Sequence, residues 1–296
     1  MLAAVKSLLY LGTILLIGAG VFAHFVGPGL TSGASAVRRG SLGLGVLLGA
    51  VTLLVASSLD IALTIRTTLG FLDTELVSEY IRFTRHGRAT NIRIGLILIV
   101  AVLSLLGRRH PKGGVHTATK VTFVAAGAAL LATFSWTSHA VVMQGQVPMV
   151  ADLIHFGAAA AWGGSMLYLA TLPYWRTRNP ELIAAVERHS KLGLVSVVAL
   201  FATGVYAGLL HIWSPTVLTN SPYGRTLIIK VIFVLLTVSV AAVNRLWFAP
   251  RFRDEQRSGS PGLTRRFGIL IRTEAVLLTA ILITTGTLTT RPLPHP

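Results

Sequence analysis

The chain has 296 residues, of which 53% are hydrophobic and 12% charged, against about 25% charged in a typical soluble domain. With a mean hydropathy of +0.70, this excludes a disordered chain, a coiled coil and an ordinary soluble enzyme, and predicts an all-α, polytopic integral membrane protein embedded in the lipid bilayer. The net charge of +16 reads as an orientation signal, not as nucleic-acid binding, and the absence of cysteine excludes thiolate metal sites, Fe–S clusters and covalent haem.

Eight apolar runs follow in chain order, at roughly 2–27, 41–63, 92–107, 119–138, 150–173, 191–212, 226–248 and 267–290. A bilayer core needs about 20 residues of helix, so each is a candidate span. The third is short unless it begins before Arg93. The first also has the features of a signal peptide, with Lys6, an apolar stretch and Val21-Phe22-Ala23 as a cleavage site. Cleavage would expose His24 as an N-terminal copper ligand; we read the run as a retained helix. Between the second and third spans, Leu69, Leu72, Leu76, Tyr80 and Phe83 recur every three or four residues, with Asp73, Glu75, Glu79, Arg82 and Arg85 between them. This predicts an amphipathic helix lying in the outer interface, a solvated loop helix being the alternative.

Lys and Arg are distributed unequally. The loops after spans one, three, five and seven carry 16 of them, and the opposite side carries 9. The positive-inside rule makes the richer side cytoplasmic and places both termini outside.

The chain also shows internal similarity. Arg88 and Arg93 precede Arg108 as Arg225 and Lys230 precede Arg245, with 20 residues from Arg88 to Arg108 and from Arg225 to Arg245. Twenty helical residues span about 30 Å, one hydrocarbon core. Tyr10, Gly18 and Pro28 match His155, Gly163 and Pro173 at an offset of 145, and Arg38, Leu42-Gly43-Leu44 and Ser58 match Arg188, Leu192-Gly193-Leu194 and Gly208 at an offset of 150. The pattern predicts two parallel four-helix halves, 1–140 and 141–296, within a single membrane domain. Shared apolar composition is the alternative source of these matches. Gly45 with Gly49, and Gly204 with Gly208, form small-residue pairs that suit close helix packing.

Ionisable residues inside a span are costly, so each is a functional candidate: Asp60, Asp152, His155, His211, Lys230 and Glu274, with His139 at the end of the fourth span. On the fifth span Asp152, His155, Ala159, Trp162 and Met166 fall on one helical stripe. Trp136, His139 and Met143 follow a similar spacing, and the uncharged segment from Val141 to Val150 also holds Met149. Histidine and thioether without thiolate is a ligand set for copper, Cu(I) ahead of Cu(II). His139 and His155 are the expected metal ligands, with Met143, Met149, Met166 and His211 as further ones. Asp152, Trp162, Asp60, Lys230 and Glu274 are expected as supporting or relay groups. Taken singly, each histidine or methionine has packing as its alternative role. His86, His110, His116 and His189 are expected to be solvated. Lys230 could neutralise Asp60 or Asp152, and Glu274 could pair near Arg272 or with Asn244 and Arg245. No nucleotide-binding, nucleophile or zinc-protease motif occurs, so no catalytic residue is expected.

At these residues the chain resembles the CopD (PcoD) type of copper resistance membrane protein. The resemblance runs along most of the chain and is strongest over 135–291. It rests on Ser138-His139-Ala140, His155, Ala160-Ala161-Trp162-Gly163-Gly164, Thr203-Gly204, Ser221-Pro222-Tyr223-Gly224-Arg225, Lys230, Asn244-Arg245 and Glu274-Ala275. Ser138 stands where the family usually has Gly, and Tyr10 where many members have a first-span histidine. The resemblance implies an eight-span domain of a bacterial or archaeal inner membrane, linked to copper uptake or tolerance, often working with a periplasmic copper-binding partner of CopC type. The expected function is to accept copper at the outer face and import it or confer tolerance. The alternatives are a non-transporting copper-binding or assembly module, and a b-type haem electron carrier using two of His139, His155 and His211.

Overall fold

The computed structural model describes residues 1–30, 34–70, 73–108, 117–137, 146–172, 180–211, 214–251 and 262–292. Among these it has ten α-helices and no strand: α1 (Leu2–Val21), α2 (Ala34–Leu69), α3 (Thr74–Phe83), α4 (Arg85–Arg108), α5 (Thr117–Ser135), α6 (Gln146–Ala170), α7 (Pro180–His211), α8 (Pro215–Asn220), α9 (Pro222–Val243) and α10 (Gly262–Leu288). Single π-helical turns extend α1 over Phe22–Val26 and α9 over Asn244–Phe248. All-helical spans are what hydrocarbon permits, because each helix satisfies its own backbone groups where no water reaches.

Among the described residues, eight helices are long and apolar enough to cross a bilayer. The third of them starts at Arg85, so it is full length. The helix expected in the interface is α3, which buries none of its residues and leaves the Phe83 side chain exposed. Two chain turns are set by local chemistry. Ser214 and Ser221 cap α8 and α9, each accepting a backbone N–H, and each is followed by a proline at the first helical position.

α1 is the core of the bundle. Leu9, Ile14, Leu16, Ile17 and Val21 are buried, and the helix packs against α2, α4, α6 and α10. α4 packs on α5, α6 on α7 and α9 on α10. By contrast α7 and α9 turn Val195, Val198, Phe201, Leu209, Leu235 and Leu246 outward, giving an apolar surface suited to lipid. Glycines allow the central approach. A Cβ on Gly18 would overlap the Gly164 backbone, and one on Gly49 would press on α1 at Leu16. Gly45 receives the Tyr168 ring. The Gly204/Gly208 pair is different: at Gly208 a side chain would enter open space.

Both chain ends lie at one face of the bundle. Gly286, near the end of α10, sits against Ala3 and Ser7 at the start of α1. This terminal face also carries the ends of α2 and α6 that hold Asp60 and Asp152, and the start of α4.

Candidate functional site

A polar layer runs across the bundle just below the terminal face. Its first centre is Asp60 on α2, which is buried. One carboxylate oxygen accepts from Lys6 Nζ of α1 at 2.8 Å and meets His86 Nε2 of α4 at 3.2 Å. The other oxygen, Oδ1, is buried without a partner. Tyr80 of α3 closes the chain, its hydroxyl 3.0 Å from His86 Nδ1. Three helices thus meet on one carboxylate, and α3 joins them through His86. Arg93 lies two turns deeper than His86 on α4 and is also buried. It donates to the Thr133 hydroxyl and carbonyl at 3.0 and 3.2 Å, with its guanidinium 3.8 Å over the Phe134 ring. A buried cation in hydrocarbon needs such partners.

The second centre is on α6. His155 Nδ1 is 2.9 Å from Thr203 Oγ1 of α7. That hydroxyl has one proton, and it donates it to the Ala199 carbonyl at 2.6 Å. The Thr203 oxygen therefore accepts from Nδ1–H, which fixes the imidazole tautomer and leaves an unprotonated Nε2 lone pair. Asp152, one turn toward the terminal face, and Lys230 of α9 lie within electrostatic reach of each other, and Lys230 also reaches His155. Below, Trp162 Nε1 faces Gly193 of α7, where only a glycine admits the indole.

Toward the opposite face the polar groups pair off differently. Glu274 on α10 is buried and accepts from Asn244 Nδ2 at 3.0 Å, where the π turn of α9 begins. Arg245 goes instead to the Ser190 hydroxyl at 2.8 Å. Ser165 donates to carbonyls of its own helix, so it accepts from His189 Nδ1 at 3.0 Å. His24 donates Nε2–H to the Leu103 carbonyl at 3.0 Å, leaving Nδ1 buried and unpartnered.

The placement of the expected ligands is therefore uneven. His155 and Trp162 face α7, at Thr203 and Gly193, while Asp152 interacts with Ser135 of α5 and lies within electrostatic reach of Lys230. Met166 lies on the same stripe but is packed in the core, and eleven residues of helix put it about 16 Å below His155. Met149 lines a crevice with Arg85 and Trp136. It is six residues from His155, about 240° around the helix, so the two point apart. His139 and Met143 lie outside the described residues, as does the His211 side chain. Among the described residues no three His, Asp or Glu side chains converge on a position that could hold an ion.

Two histidines depart from expectation. His86 is held by Asp60 and Tyr80, and His189 is buried inside α7, which begins at Pro180 and encloses residues expected in a loop. Asp60 is neutralised by Lys6, and Lys230 lies within electrostatic reach of Asp152 without a direct ion pair among the described residues. Lys6, His86 and Thr203 are the residues sequence reasoning missed. Lys6 carried a signal, since an ionisable group four residues inside a span requires a partner.

The family model "Copper resistance protein D-like, N-terminal domain" matches residues 1–149, and "Copper resistance protein D" matches residues 183–288. The chain is 29% identical over 184 residues to "Inner membrane protein YebZ" of Escherichia coli, covering 60% of each chain. It is 26% identical over 228 residues to "Copper transport protein CutJ" of Bacillus subtilis, covering 74% of this chain and 40% of that one. To "Copper resistance protein D" of Pseudomonas syringae pv. tomato it is 25% identical over 275 residues, covering 86% and 84%. The chain thus spans less than two thirds of the length of the first two relatives. No solved structure matches. The two family models and the Bacillus subtilis and Pseudomonas syringae relatives are described by copper resistance or transport, and the Escherichia coli relative by its inner-membrane location alone. With a family model covering half its length and eight helices fit to span a bilayer, the chain belongs to the copper resistance protein D family of membrane proteins.

Proposed function

We propose that the protein takes up copper at its terminal face and passes it inward across the membrane, conferring copper uptake or tolerance. The observation that carries this reading is His155, whose Nδ1–H is committed to Thr203 and whose Nε2 lone pair is left free. An imidazole fixed in this way is a prepared metal ligand. Copper is the substrate, named by family membership and by the descriptions of two relatives.

His139 and Met143 are assigned as the remaining ligands of the entry site, on the segment that joins α5 to α6. Histidine with thioether favours the cuprous ion. Lys230 lies within electrostatic reach of Asp152 and of His155, so its charge tempers that of the carboxylate beside the site. Met149 and Met166 are too far from His155 to share its ion, so any part they play is at other steps. Glu274 with Asn244, nearer the opposite face, is assigned as a relay station. The 16-to-9 distribution of Lys and Arg supports a terminal face turned outward, where a periplasmic copper-binding protein of CopC type would deliver the ion. Two halves, 1–140 and 141–296, remain the proposed division of the chain.

The test is flux. Proteoliposomes of the full chain should accumulate Cu(I) above empty vesicles, and the His155→Ala protein should fall to the background rate. Copper bound at His155 without flux would make the protein a holding or assembly module. A haem absorption band in the purified protein would replace copper handling with electron transfer.

A further inference from the structure

A crevice of about 530 Å³ opens at the terminal face between α4 and α5, beside the start of α6. Its mouth holds Arg85, Trp136 and Gln146, and its walls are Ile92, Leu96, Ala129 and Ala132. Arg85 is exposed, lies 5.6 Å from the Trp136 ring, and makes no salt bridge among the described residues. Among the described residues no carboxylate lines the crevice. A guanidinium at the mouth repels a copper ion and attracts an anion.

The depth is informative. Arg85, Ile92 and Leu96 lie along one face of α4, and eleven residues of helix cover about 16 Å. Half of a bilayer core is about 15 Å. The crevice therefore starts with a cation, an indole and an amide at headgroup level and continues as an apolar wall to the middle of the membrane. A free anion would use only the mouth; an acyl chain would fill the rest. We infer that this crevice binds one anionic phospholipid, with its phosphate at Arg85 and Gln146 and an acyl chain along Ile92, Leu96, Ala129 and Ala132.

The experiment uses the purified full chain, stripped of lipid in mild detergent and exposed to phosphatidylglycerol or phosphatidylcholine of identical acyl chains. Bound lipid is counted by native mass spectrometry. Both lipids offer a phosphate, but phosphatidylcholine also brings a quaternary ammonium that Arg85 repels, so the wild type should prefer one phosphatidylglycerol roughly tenfold. Arg85→Gln should bring the two lipids to parity, while Arg225→Gln, at another interfacial position, should keep the preference. Ala129→Trp, which fills the wall from an exposed position, should lose the retained lipid with helix content unchanged. Excess inorganic phosphate or glycerophosphoglycerol should not displace it. Equal retention of both lipids by the wild type, an equal effect of Arg225→Gln, lipid retained by Ala129→Trp, or displacement by the water-soluble anions would each overturn the assignment.

Discussion

Lys6 Nζ and Asp60 Oδ2 meet at 2.8 Å across 54 residues of sequence, joining the first two spans below the terminal face. Neither charge is tolerable alone in hydrocarbon, and His86 adds a second contact to the same oxygen at 3.2 Å. Removing Lys6 strands a buried carboxylate. Lys6→Met should therefore destabilise the protein by about 2 kcal/mol, less than the roughly 3–5 kcal/mol of a fully buried pair, because Lys6 is partly exposed and His86 still contacts Asp60. The combination Lys6→Met with Asp60→Leu should recover most of the loss. Thermal unfolding in detergent reads both; a double variant as unstable as the sum of its single changes would contradict the pairing.

The contact of Gly18 with Gly164 sets the distance between α1 and α6. Gly164→Val forces backbones apart and should cost about 2 kcal/mol or more. Gly208→Ala points into open space and should stay within about 0.5 kcal/mol. Unfolding temperatures of the two variants provide the check, and equal shifts would contradict it.

The eight spans were legible because length and hydropathy decide them. Their ends were not. α7 begins at Pro180, well before the expected run at 191, because Glu187, Arg188, His189 and Lys191 hide a helix from a hydropathy reading. That is why His189 read as solvated. The α6 stripe was legible from period alone, since residues three and four apart share a face. What it faces was not: Thr203 is 48 residues away, and the Thr203-Gly204 pair stood out as a family motif without a partner for its hydroxyl. Small-residue pairs were equally ambiguous, since Gly45 and Gly49 both pack in the bundle, whereas Gly204 lies against His155 and Gly208 opens on empty space.

Orientation is open to direct labelling, since the chain has no cysteine to interfere. Gly40 sits exposed near the start of the second span, and Glu79 is exposed on α3. A cysteine at Gly40 should react only with reagents that enter the cytoplasm, and one at Glu79 from outside. The reverse pattern would turn the proposed direction of copper movement around.

Thr203 tests how His155 is prepared. Thr203→Ala removes the acceptor for Nδ1–H and frees the imidazole to change tautomer and rotate. Copper affinity should fall about 10- to 100-fold, as for other partners of metal-bound histidines. Thr203→Ser keeps the hydroxyl and should restore it. Competition titration against a Cu(I) chelator measures all three proteins; equal affinities would mean that Thr203 only packs.

The central claim is that His155 binds copper, and the amount of Cu(I) retained by the purified protein tests it most directly. Wild-type protein loaded with Cu(I) and desalted should retain the ion. His155→Ala should lose most of it while unfolding at a similar temperature, and His139→Ala should act non-additively with it, because both changes empty one site. Wild-type protein that retains no copper, or a His155→Ala variant that retains as much as wild type, would contradict the account.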